Sequence, residues 1–400
     1  MRISLAILAI MTAALCGCAE GNGSEDCKAP DPAAALPGKY NGFGLELFGV
    51  LAGGAESNLF ISPASVSICM GMVLNGAAGE TASEIEELLR VPGMGLESFN
   101  IANDTLLAGL DESAGGSLSI ANSIWLRESF PFEDGFAARN REHFDAGVMP
   151  LSTAGAINSW VEEKTKGMID RIIDSLHPRD IAVLVNAIHF KGTWLVEFDP
   201  ERTGKKDFHG LSGTTAVEMM SRAGKFEYLE EKGLFQAVRL PYEEGSIVMY
   251  VLLPEEGTGP DSLLAVLDPE SWDAWTGSFE RRKGHLEMPR FRMEYFKLLN
   301  GPLQEMGMRQ AFGAGADFSR MCECGPGDVY ISRVLHKAVV EVDEKGTEAA
   351  AVTAVQVRVT SAMPSGPEPF RMIVDRPFLF AIVDEDSGLI LFAGMLVDPE

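Results

Sequence analysis

His336-Lys-Ala-Val-Val-Glu-Val-Asp-Glu-Lys-Gly-Thr-Glu-Ala-Ala350 is the stretch on which the reading of this chain turns. Its first half ends a run, Val329 to Val342, rich in β-branched residues, which predicts a strand. The character changes at Gly346, where the lack of a Cβ lets an extended chain swing out of a sheet, and the alanines beyond it offer little steric resistance. From Thr347 onward alternate residues sort by chemistry. Thr347, Ala349, Ala351, Thr353, Val355, Val357 and Val359 are uncharged and small or β-branched, whereas Glu348, Ala350, Val352, Ala354, Gln356, Arg358 and Thr360 hold all the charge of the segment. Strand side chains repeat with a period of two, so such a stretch can bury one face and wet the other, as a strand added to the middle of a sheet requires. The same pattern also fits an ordinary amphipathic strand.

Working outward, β-forming runs recur at Ser117 to Leu126, Ala182 to Phe190, Phe235 to Leu240 and Ile247 to Leu253. Pro377 to Val383 and Leu389 to Leu396 flank the polar Asp384-Glu-Asp-Ser-Gly388, a hairpin pattern. Helical spacing dominates the first third. Leu45, Leu47, Phe48 and Leu51 open one amphipathic segment, Pro63 suits the first turn of a second, and Thr81-Ala-Ser-Glu84 reads as a capping box for a third carrying Ile85, Leu88 and Leu89. Ala156 to Lys166 and Leu263 to Trp275 return to helical spacing later. Strands and helices interleave without a regular strand-helix rhythm, which predicts an α+β fold.

The chain has 400 residues, 46% of them hydrophobic, enough for a sizeable core. From Lys39 to Glu400 nothing divides it, so 39–400 reads as one domain. The net charge of -25 argues against a nucleic-acid partner, whose phosphates call for clustered Lys and Arg. Residues 1–18 read as an export signal, with Arg2 ahead of the apolar Ile3 to Leu15, a stretch too short to span a membrane as a mature helix. Leu15-Cys16-Gly17-Cys18 resembles a prokaryotic lipobox, which implies lipidation of Cys18 and a membrane-tethered, exported protein, extracellular or periplasmic. Residues 19–38 mix Gly, Pro, Ala and charge without periodicity, as a flexible tether does.

Six cysteines in an exported chain raise the question of disulfides. A bridge between Cys322 and Cys324 spans so few residues that strain is expected, and exposed loop thiols are the favoured reading. No second pair or neighbouring His makes them a zinc site, and no metal or other cofactor is expected. Cys69, inside the apolar run Val66 to Val73, reads as packing.

Several segments together resemble the serpin family, in family order: Asn58-Leu-Phe-Ile-Ser-Pro63 with Gly76-Ala-Ala-Gly-Glu-Thr81, Val185-Asn-Ala-Ile-His-Phe-Lys-Gly-Thr-Trp194, His336 to Ala350, and Asp375-Arg-Pro-Phe-Leu-Phe380. The resemblance implies three β-sheets, eight or nine helices and an exposed reactive-centre loop at about 345–370. It also implies suicide inhibition of a serine protease. The protease cuts the loop, the acyl-enzyme forms, and the loop inserts into the central sheet with the enzyme still attached, giving a covalent 1:1 complex of a monomeric inhibitor.

Residue by residue, the resemblance places a hinge at Glu344, Gly346, Thr347, Glu348, Ala349, Ala350 and Ala351, and a polar cluster beneath the central strands, the shutter, at Ser62, Ser65, Asn186 and His336. Trp194 and Arg290 fall in the breach, where insertion begins, with Arg290 paired to Glu344 and Lys345 as a competitor. Counting seventeen residues from Glu344 puts the reactive bond at Thr360-Ser361, which suits elastase-like or subtilisin-like enzymes. Pro364, Gly366, Pro367 and Pro369 leave the register open, and a bond at Arg358-Val359 instead points to a trypsin-like target.

Two rivals remain. An enzyme is disfavoured, since the sequence holds no Gly-x-Ser-x-Gly, His-Glu-x-x-His, phosphate-binding loop or dinucleotide fingerprint. A non-inhibitory serpin acting as a carrier, chaperone or structural protein shares the fold, but would be expected to carry bulky, charged or Pro residues where Thr347 to Thr353 present only Thr and Ala on the inserting face. Leu96 to Leu110 contains no Lys or Arg, so no heparin-type activation is expected.

Overall fold

Ser62 and Pro63 start the helix on which the central sheet rests. Ser62 Oγ accepts a hydrogen bond from Ser65 N at 3.1 Å, Pro63 takes the first helical position, and every residue of Pro63–Leu74 is buried. The structure, a computed structural model, describes residues 31–53, 57–115, 117–243, 246–347 and 368–399. Among them are nine α-helices, with strands gathered into two hydrogen-bonded sheets, an α+β arrangement.

The seven-stranded sheet orders its strands as Gly147–Leu151, Leu118–Arg127, Ala182–Phe190, Ile331–Val342, Gly346–Thr347 and Gly192–Thr193, with Phe291–Leu298 also paired to Ile331–Val342. All nine residues of Ala182–Phe190 are buried because helices or core cover both faces. Leu184 and Ile188 face the main core, while Val183, Val185 and Ala187 face a second cluster with Ile157 and Val161 of helix Ala154–Lys164. Asn186 therefore points into the main core, where Ser62 and Ser65 lie.

The nine-stranded sheet contains the closing hairpin, Phe378–Asp384 against Leu389–Leu396, as the polar turn predicted. Its long strand Gly213–Glu231 pairs with Gly204–Gly210 at one end and Phe235–Pro241 at the other. The second and third of the three expected sheets are thus joined through one continuous strand.

Four local expectations change. Residues 32–38, read as part of the tether, belong to helix Pro32–Ala52, because Leu36 begins the buried stripe that continues through Tyr40, Phe43 and Leu47. Thr81 and Glu84 do not form a capping box: the helix starts earlier, at Gly79. Thr81 Oγ1 accepts from Asp317 N at 2.9 Å and Glu84 from the backbone of Arg309 and Gln310, both at 2.7 Å, so these side chains satisfy a distant loop instead. Leu263 to Trp275 is two helices, Pro260–Leu264 and Pro269–Thr276, separated because Pro269 favours a fresh first turn capped by Asp268.

The cysteines are the fourth. Cys322 and Cys324 are not exposed thiols but a disulfide, with Cys322 buried. The chain turns tightly there, Cys324 N donating to Cys322 O at 2.8 Å, and the Cα atoms lie 5.3 Å apart, within bridging range. Cys69 is buried, and burial pushes its thiol up to about 12, in keeping with a packing role.

Candidate functional site

Three adjacent strands carry one polar residue each at the same level. Asn122 stands opposite Asn186 in the antiparallel pair, and Asn186 stands opposite His336 in the parallel pair. All three side chains are buried. Ser62 N donates to His336 Nε2 at 3.3 Å, which leaves the ring proton on Nδ1 to donate to Asn186 Oδ1. Asn186 Nδ2 in turn donates to Ser65 Oγ and Asn122 Oδ1, and Ser62 Oγ donates to Leu391 O at 2.6 Å. The network thus closes on a neutral imidazole, and burial holds the His336 pKa down to about 3.

The four predicted shutter residues, Ser62, Ser65, Asn186 and His336, are brought together. Asn122 completes the row and was missed; an Asn within the β-forming run Ser117 to Leu126 was its signal. Separating Ala182–Phe190 from Ile331–Val342 breaks the His336 to Asn186 bond along with the strand pairing. At about 1 to 3 kcal/mol for each buried polar group left unsatisfied, this row resists opening unless new partners arrive.

At the far end of Ile331–Val342 the chain turns back on itself. Asp343 N donates to Gly346 O at 2.8 Å, while Asp343 Oδ1 accepts from Lys345 N at 2.8 Å and Gly346 N at 3.1 Å. The turn puts Gly346 at φ +152°, where a Cβ would lie 2.1 Å from Gly192 O. Gly346–Thr347 then runs between Val342 on one side and Gly192–Thr193 on the other. Thr347 is fully buried, its Oγ1 2.8 Å from the hydroxyl of Tyr242.

Trp194 locks this corner. Its ring stacks on Tyr242 at 4.4 Å, its Nε1 donates to Asp343 O at 3.0 Å, and its backbone N donates to Lys345 O at 2.7 Å. Phe198 N donates to Glu344 O at 2.7 Å. Arg290 Nη2 reaches both oxygens of Glu344 at 2.6 Å, and Thr203 Oγ1 donates to the same carboxylate at 2.7 Å. Burial alone would raise the Glu344 pKa; the bonds from Thr203 and Arg290 outweigh it and hold the carboxyl below its ordinary range.

Sequence reasoning overlooked Asp343, Thr203 and Tyr242 here. The spacing of Asp343 from Gly346 is a turn signal that was available. Arg222 was overlooked too: its guanidinium lies between Phe198 at 4.7 Å and Phe226 at 4.6 Å and donates to Val196 O, tying the Trp194 to Phe198 segment to strand Gly213–Glu231. Burial lowers its pKa to about 10.

Glu348, Ala349, Ala350, Ala351, Arg358, Val359, Thr360 and Ser361 lie outside the described residues, as does Cys18. Of the residues expected to form a hinge, Glu344, Gly346 and Thr347 are among those described.

Residues 39–399 match the family described as Serpin (serine protease inhibitor). A serpin-like protein of Thermococcus kodakarensis is 33% identical over 373 residues, covering 90% of this chain and 85% of that protein. The leukocyte elastase inhibitor of Bos taurus is 34% identical over 376 residues, covering 89% of this chain and 97% of that protein. The thermophilic serpin tengpin, solved in its native state, superposes with a TM-score of 0.82 at 29% identity, covering 91% of this chain and 94% of that one. Sequence likeness along nearly the whole domain and a shared three-dimensional arrangement lead to one assignment: the chain belongs to the serpin family.

Proposed function

We propose that this serpin inhibits serine proteases by loop cleavage, acyl-enzyme trapping and insertion of the cut loop between Ala182–Phe190 and Ile331–Val342. The observation that carries the reading is the seating of Gly346–Thr347: the first two residues of the insertion register already lie between Val342 and Gly192–Thr193, with Thr347 wholly buried. The uncharged face that starts at Thr347 continues in sequence through Ala349, Ala351 and Thr353. Each added residue pair finds backbone partners on both neighbouring strands. Roughly a dozen new hydrogen bonds at about 0.5 to 1.5 kcal/mol net supply on the order of 10 kcal/mol, to which apolar burial adds.

The target class follows from the bond cut. Scission at Thr360-Ser361 selects enzymes with small or apolar pockets, elastase-like or subtilisin-like; scission at Arg358-Val359 selects a trypsin-like enzyme. Incubation with a panel of serine proteases is expected to give an SDS-resistant complex, and mass spectrometry of the released C-terminal peptide identifies the bond. Cleavage of the loop without any trapped enzyme across the panel supports the carrier or structural alternative instead.

The lipobox-like Leu15-Cys16-Gly17-Cys18 supports display of this inhibitor on a membrane through lipidated Cys18. Cys18→Ser is expected to release the protein from the membrane fraction; unchanged membrane association counts against the tether.

A further inference from the structure

A cleft lies apart from the residues described above. Helices Leu96–Ala114 and Asp134–Phe144 border it, and its volume of about 570 Å³ is within the size range of small-ligand pockets. Arg139 and His143, four residues apart, share one face of the second helix. Arg320 lines the cleft from the segment that carries the disulfide. That segment is fastened to the start of helix Asp134–Phe144: Glu133 N donates to Met321 O at 2.9 Å, and the backbones of Phe132 and Cys322 pair in an antiparallel fashion. The three basic side chains thus come from elements fixed against each other.

Two nitrogen atoms at this cleft are conspicuous. Arg139 Nε and His143 Nδ1 are buried and have no hydrogen-bond partner among the described residues. Gln236, Arg282 and Arg376 each hold one such atom elsewhere, so what sets this pair apart is that both belong to side chains lining one cleft. Arg139 donates from Nη2 to Asn75 O at 3.3 Å, so its guanidinium is anchored on one side only. The opposite wall is apolar: Leu96 lines it, and Ile101 leaves 55% of its surface in solvent. Glu97 is the one acid among the lining residues, set against two arginines, in a chain whose net charge is -25. The local sign is opposite to that of the whole protein.

We propose that this cleft binds a small amphiphilic organic acid, its carboxylate received by Arg139, His143 and Arg320 and its apolar body laid on Leu96 and Ile101. An extended polyanion fits poorly, because helix Leu96–Ala114 brings no Lys or Arg and adds Glu97, Asp104, Asp111 and Glu112. None of the lining residues belongs to the hinge, the polar row or the Arg290 to Glu344 pair, so the proposal stands independently of protease inhibition.

Isothermal calorimetry on the full folded chain, with decanoate and decanol as paired probes, tests it. Decanoate is expected to bind saturably at one site and to raise the melting temperature, with decanol about tenfold or more weaker because it lacks the charge. Arg320→Glu and Ile101→Glu, both at exposed positions, are each expected to weaken decanoate binding about tenfold or more while leaving the unliganded melting temperature in place. Arg139→Gln adds the buried donor to the comparison. The proposal fails if decanoate shows no saturable binding, if decanol binds equally well, or if Arg320→Glu and Arg139→Gln bind decanoate as the parent does.

Discussion

Thr347 Oγ1 rests 2.8 Å from the hydroxyl of Tyr242, so the residue with which the proposed inserting face begins is held inside the sheet. A guanidinium in that fully buried position would be stripped of water. Thr347→Arg is therefore expected to eject Gly346–Thr347 and obstruct re-entry, turning an inhibitor into a substrate. The ratio of SDS-resistant complex to cleaved inhibitor measures this, and an undiminished complex yield would contradict it.

Glu344 is buried while its partner Arg290 remains half exposed, so the pair lies between the surface and core limits. Glu344→Gln is expected to cost about 1 kcal/mol at neutral pH, nearer the surface value because solvent reaches the guanidinium. The carboxyl sits below its ordinary range, so its stabilisation is complete above the unfolded value of about 4.3 and is lost as pH falls through the folded one. Melting temperatures of parent and variant should differ at pH 7 and converge in strong acid. A gap that persists at low pH would show that the charge is not its source.

His336 offers a pH effect in a different window. The unfolded imidazole takes up a proton below about 6.5, whereas the buried one resists down to about 3, so the unfolded state binds more protons throughout that interval. Stability should fall as pH drops, by up to about 1.4 kcal/mol per unit from this group, or about 2 kcal/mol at pH 5. His336→Gln, which cannot titrate, should flatten the slope of denaturant midpoint against pH between 7.5 and 5. If parent and variant give parallel slopes, the imidazole is not the group being protonated.

The legible parts of this structure were those where one residue type answers to one local requirement. Ala182 to Phe190 is rich in β-formers and apolar save for Asn186 and His189, a composition that suits a strand covered on both faces. Asp384 to Gly388 could hardly be other than a turn between two such strands. Less legible were side chains whose partners lie far along the chain: Thr81 and Glu84 match a local capping pattern, yet serve residues more than two hundred positions away. Strand Gly213–Glu231 carries so many charged and polar residues that its pairing, with neighbours on both sides, leaves little apolar period to read. In the site, Asn186 and His336 were found through motifs, while Asn122, marked in sequence only as an Asn within a β-forming run, is aligned with them by strand register, which sequence spacing does not supply.

Gly346 gives the most local prediction. At φ +152° an L-residue is strained, and an added Cβ would meet Gly192 O at 2.1 Å, Thr193 Cα at 2.7 Å and Trp194 N at 2.9 Å. All three obstacles are backbone, in a segment held by Trp194 to Lys345 O and Asp343 O, so none can yield by a rotamer change. Gly346→Ala is thus expected to push the first loop residues out from between Val342 and Gly192–Thr193, with a loss on the order of 1 to 3 kcal/mol. The readouts are a lower melting temperature, faster proteolysis within residues 343–347, and a smaller fraction of complex per loop cleaved, since insertion must now begin from outside the sheet. An alanine variant that melts, resists proteolysis and traps protease like the parent would mean that the strand pairing at Thr347 is not where insertion starts.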